Sequence, residues 1–93
     1  MTVTVNVKIT NNGASTSHGT TIWVALGDIG DPCSPSAWVW DQKESDEFDL
    51  EPGRSMTWTV YLMCPDDEWM QVGVSVSNRD GGEACRSAYP RHI

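Results

Sequence analysis

Apolar and polar residues alternate along four stretches of this chain. Val3, Val5, Val7 and Ile9 are separated by Thr, Asn and Lys; Ile22, Val24 and Leu26 repeat the pattern. Met56, Trp58, Val60 and Leu62 form a third row, and Met70, Val72, Val74 and Val76 a fourth. A period of two puts one face of a strand in a core and the other in water, which is the signature of packed antiparallel sheets. The rows and the turn residues between them predict strands over 2–10, 20–27, 38–40, 48–50, 55–63, 69–78 and 83–89. Asn11-Asn12-Gly13, Pro52-Gly53 and Asp80-Gly81-Gly82 supply the sharpest turn signals, Pro by presetting φ and Gly by accepting a positive one. Residues 27–36 are crowded with Gly and Pro and read as the longest loop, and residues 42–46 read as a polar turn. No segment carries a helical period. The fold class is all-β, a seven-stranded antiparallel β-sandwich in a single domain spanning 1–93.

Charge narrows the partners. The net charge is −7, with thirteen acids against six Lys and Arg. That disfavours nucleic acid, whose binding depends on basic groups neutralising phosphates, and anionic membrane surfaces. No apolar run reaches the length a helical membrane span requires. No basic segment followed by an apolar one opens the chain. Met1 is therefore read either as the native start of a cytoplasmic protein or as an addition to a domain excised from a larger surface or secreted one.

Three stretches resemble a family. The alternating Val strand ending in Asn-Asn-Gly (3–13), the Leu-Glu-Pro-Gly-Arg-Ser turn leading into a Thr-rich strand (50–60), and Val-Gly-Val-Ser-Val-Ser-Asn (72–78) look like the CARDB group of immunoglobulin-like domains, related more broadly to fibronectin type III domains. The resemblance covers about a third of the chain and rests on structural punctuation. It implies an immunoglobulin-like β-sandwich used as an adhesion module or spacer on surface or secreted proteins. Three Cys, five Trp and the long loop over 27–36 depart from it.

On that fold, strands taken to alternate in direction place Cys33, after the second strand, and Cys85, just past the turn after the sixth, at one end. Cys64 falls at the other. With the third strand paired to the sixth, as that fold implies, Cys33 and Cys85 are the pair able to form a disulfide, and an oxidising compartment follows. Three reduced thiols, or a Cys33–Cys64 link, remain open. The spacing fits no zinc motif. The only His residues, His18 and His92, give no nucleophile–base pair. No cofactor, metal or catalytic residue is expected, and the chain reads as no enzyme.

The Trp residues carry the binding argument. Trp58 shares the parity of its apolar row and belongs to the core, and one of Trp38 and Trp40 is expected to be the central core Trp of the sandwich. Trp23 and Trp69 oppose the parity of their rows and point outward, as does Tyr61. These three form the candidate ligand surface, since indole faces suit sugar stacking or burial at a protein interface; the alternative is that loops or the tail cover the rings, or that Trp69 is simply a strand-end residue. Asp28 and Asp31, with Asp80 and Glu83, are expected at one end, where four carboxylates read either as a solvated acidic rim or as a calcium site. The leading function is a non-catalytic protein-interaction or adhesion module. The alternatives are a small carbohydrate-binding module and a structural spacer or self-associating domain.

Overall fold

The computed structural model describes residues 2–33, 38–65 and 70–88. They form β1 (Thr2–Thr10), β2 (Ser17–Asp28), β3 (Trp38–Glu44), β4 (Phe48–Leu50), β5 (Ser55–Met63), β6 (Gln71–Ser77) and β7 (Glu83–Ala88). β1 and β5 make a two-stranded ribbon, paired without a register shift from Thr2 opposite Met63 to Thr10 opposite Ser55. The second sheet has the order β3-β2-β6-β7, with β4 also paired to β2. The two sheets close on one core. Val3, Val7, Val60 and Leu62 come from the ribbon, and Ile22, Val24, Leu26 and Val72 from the larger sheet, with Cys64 and Met70 alongside. These are the alternating positions, so the all-β sandwich follows from the pattern.

The turn at Pro52-Gly53 forms as expected. Gly53 has φ 75°, and the Arg54 N–H donates to the Glu51 carbonyl at 3.1 Å, the closure a type II turn requires. A second glycine is needed for close approach. Register shifts between Leu26 and Gly27, and a Cβ on Gly27 would collide with the Trp38 carbonyl oxygen.

The expected strand pairing is corrected. β6 pairs with β2, not β3. β3 sits at the edge, its partner β2, and runs on to Glu44, through the first residues of the expected polar turn. β3 and β4 are both antiparallel to β2, at Trp23–Asp28 and at Ser17–Thr20 respectively. They are thus two pieces of one interrupted edge strand, stitched between them by the Ser45 N–H to the Ile22 carbonyl and the Ile22 N–H to Ser45 Oγ. The chain does not reverse between them, and every later strand points opposite to the expected direction. Three consequences follow. Neither Trp38 nor Trp40 is a core Trp, since an edge strand has one neighbour: they are 52 % and 50 % exposed. Cys64 follows β5 at the end where β6 begins, the same end at which Cys33 leaves β2. Asp28 sits at that end and Asp80 beyond the other end of β6, so the expected four-acid cluster does not assemble.

The loop after β2 folds back over the outer face of the larger sheet. Ile29 is fully buried there and Pro32 is buried beside it, both against Gly73, where a Cβ would press on each. Ala25, the small residue opposite Gly73, is also fully buried. The Gln71 side chain clamps Gly30 from both sides, accepting its N–H at 2.9 Å and donating to its carbonyl at 2.6 Å. This path carries Cys33 to Cys85, which stands opposite Ser75 on β6. The two form a disulfide with Cα atoms 5.6 Å apart.

Candidate functional site

Of the predicted ligand residues, Trp23 and Tyr61 do not share a surface. Trp23 is half-buried on the outer face of the larger sheet, its indole N–H donating to Gln42 Oε1 at 2.7 Å across the β2–β3 pair. Tyr61 is 62 % exposed on the outer face of the ribbon, which is the opposite side of the sandwich. Trp69 lies outside the described residues. Trp58 is half-buried and packs on the core.

The exposed aromatic surface lies elsewhere. Among the described residues the exposed large apolar side chains are Trp38, Trp40, Tyr61 and Met63. All four stand on β3 and β5, the two strands that meet where Asp41 Oδ2 accepts the Met63 N–H at 2.8 Å. Trp38 and Trp40 form an edge-to-face pair with ring centroids 5.4 Å apart and planes at 65°, a favoured aromatic geometry. The sequence signal for this pair was its i, i+2 spacing, which puts both rings on one side of a strand whatever that side faces.

A second feature is a polar network at the opposite end. Asp49 on β4 accepts the Gly19 N–H at 3.1 Å and meets His18 Nδ1 at 3.2 Å. Beside it Arg79 Nη2 pairs with Glu47 Oε2 at 2.9 Å. The Gly19 N–H first, then the His18 hydrogen bond, hold the Asp49 carboxyl below its ordinary 3.8. A depressed folded value means the network's stabilisation is fully present above the ordinary carboxylate range and disappears as pH falls through the lowered value. Asp49→Asn is accordingly expected to shift the melting temperature downward near neutral pH and to flatten its dependence on pH in the acid limb. Thermal scans from pH 2 to 6 check this. A mutant whose acid limb matches the parent's would remove Asp49 from the account. The network ties β4 to the start of β2.

Near the disulfide, the Glu83 carboxylate and the sulfurs of Cys33 and Cys85 lie within 4.8 Å of one another. Sulfurs joined to each other present no thiolate, so this trio is no metal centre.

Fold and surface together define an all-β sandwich with a covalently pinned loop and an aromatic edge. No protein-family model, curated protein or solved structure matches the chain.

Proposed function

We propose that this domain is a non-catalytic protein-interaction module of a surface or secreted protein, with the immunoglobulin-like, CARDB-like character its turns and strands resemble. The Trp38–Trp40 pair carries the reading. Two half-exposed indoles on an edge strand leave a large apolar area in water, and Trp is the residue most enriched at the energetic centres of protein interfaces. The Cys33–Cys85 disulfide supports an oxidising, extracytoplasmic setting. The 65° between the ring planes favours a protein over a sugar, since two rings at a steep angle offer no shared flat platform for stacked pyranoses.

The test uses the immobilised domain and an extract of its source's surface. Binding is expected to be abolished by protease treatment of the extract and unaffected by periodate. Trp38→Ala with Trp40→Ala is expected to weaken it about thirtyfold or more, the effect of losing one strong interfacial Trp, with the circular dichroism spectrum unchanged. Periodate-sensitive, protease-resistant binding, or quenching of Trp fluorescence by soluble polysaccharides, would transfer the function to carbohydrate recognition. Unweakened binding by the double variant would clear the Trp pair of any role.

A further inference from the structure

The two sheets are unequal, and the inequality leaves a groove. The ribbon has two strands where the facing sheet has β3-β2-β6-β7, so the inner face of β6 and β7 runs on past the outer edge of β1. Between that edge and that face lies a groove of about 330 Å³. Its apolar lining includes Ile9 from β1, with Val74, Val76 and Ala84 from β6 and β7. Ile9, Val74 and Val76 are only partly buried against the core.

Among the described residues the edge is an open row of hydrogen-bonding groups. The Asn11 N–H donates to the Arg54 carbonyl and its own carbonyl accepts from Gly53, so Asn11 faces β5. On the other strand the Met63 N–H points away from β1, to Asp41. With no register shift between the strands, alternation directs the odd-numbered groups of β1 at β5 and the even-numbered ones outward. The N–H and C=O of Thr4, Asn6, Lys8 and Thr10 therefore lie along the free edge.

Charge selects the occupant. In a protein of net charge −7, the described residues lining the groove include two cations, Lys8 and Arg86, and no acid. Among the described residues neither has an ion-pair partner, whereas Arg54 and Arg79 are each paired with a Glu. Glu83 lies beyond it, in the lining of a smaller cavity at that end of the sandwich.

We infer that the free edge of β1 is a strand-acceptor site for an extended, acidic polypeptide. The partner segment adds a third strand to the ribbon, hydrogen-bonds to the even-numbered residues of β1, seats alternate apolar side chains over Ile9, Val74 and Val76, and brings carboxylates to Lys8 and Arg86. A second copy of this chain is the poorer occupant, because its own β1, offered edge to edge, carries Lys8 and no carboxylate to meet Lys8 and Arg86. The inference rests on the protein-interaction reading and assigns it a surface separate from the Trp pair.

The probe is a synthetic nine-residue peptide of alternating Val and Thr with Glu at one Thr position, on the face of Lys8, and at one Val position, on the face of Arg86; a matched peptide carries Lys there, and a third has Pro at its centre. Amide hydrogen exchange of the whole domain is followed by NMR. The acidic peptide is expected to protect the amides of Thr4, Asn6, Lys8 and Thr10 and to leave Val5 and Val7 unchanged. The Lys peptide should bind about tenfold more weakly, as expected when two exposed charge pairs change sign, and the Pro peptide should not bind. Lys8→Glu with Arg86→Glu should invert the preference, and Lys8→Gln with Arg86→Gln should abolish it. No protection at millimolar peptide would overturn the site. So would protection in the protein alone that fades on dilution as the mass halves, which would make the occupant a second copy. If the neutral variant dimerises and the acidic peptide fails to bind the parent, the two cations act only to keep the edge from pairing. Failure here with a Trp-dependent partner intact removes the groove alone; loss of the Trp result with peptide pairing intact moves the interaction function to this edge.

Discussion

Breaking the Cys33–Cys85 link is expected to lower the stability of the folded domain by about 4 kcal/mol. The bond spans 52 residues of sequence, and a loop of that size removes a large share of the unfolded chain's conformational freedom. A domain of this length has a total stability of roughly 5–14 kcal/mol, so the reduced protein should retain only about 1–10 kcal/mol of it. The native side adds to the effect. Cys33 anchors the segment that holds Ile29 and Pro32 against Gly73, and without the anchor those buried groups depend on the Gln71–Gly30 hydrogen bonds alone. Urea unfolding of the parent and of Cys33→Ser with Cys85→Ser measures the difference. The variant should also show a larger m-value, because its unfolded chain is more expanded. A difference under about 1 kcal/mol would mean that the loop, not the bond, holds the face. In the unreduced, denatured parent only Cys64 should take up an alkylating reagent.

The strands were legible because their burial is one-sided. β1, β4 and β5 begin and end where the alternation and turns place them, since each has one wet face and turn chemistry at its borders. The topology was lost at β3. An edge strand with no fully buried residue has no buried row to alternate against, and residues 41–44 are polar throughout, so the stretch reads as a turn. The corrective signal is what that stretch lacks. Residues 41–47 contain Asp and Ser but no Gly or Pro, whereas the reversals at 11–13, 52–53 and 80–82 each hold a Gly, which accepts a positive φ at no steric cost. One missed continuation inverted the direction of everything after it and put Cys64 at the wrong end; the core Trp expected on β3 came instead from the immunoglobulin-like resemblance, which makes that strand central. The disulfide was reached in spite of that error, because Cys33 travels across the outer face instead of meeting Cys85 at an end. Ile29 carried a signal too: an isolated large apolar residue among Gly, Asp and Pro marks a loop that docks. The strand-acceptor groove was invisible in the sequence, because the number of strands in each sheet is a property of pairing and not of any single strand.

Leu62→Ala is expected to cost about 3 kcal/mol, the central range for a buried Leu whose neighbours relax only in part. Leu62 has no exposed surface and lies on β5 opposite Val3, within the core that joins the ribbon to the larger sheet. A two-stranded ribbon is marginal by itself in water, so β1 and β5 hold their hydrogen bonds only while docked through residues such as Leu62. The loss should therefore be uneven. In amide exchange the amides of β1 and β5 that face each other should become labile before those joining β2 to β6, where backbone pairing continues on both sides. Tyr61→Ala is the control from the next position in the chain. Its ring is 62 % exposed, and the substitution should change stability by no more than about 0.5 kcal/mol. Equal costs at 61 and 62, measured by urea unfolding, would contradict the assignment of inner and outer faces to β5. A large cost at Leu62 spread evenly over both sheets would mean that the sandwich opens as one unit, and the ribbon would then lose its standing as the weaker layer to which a third strand is added.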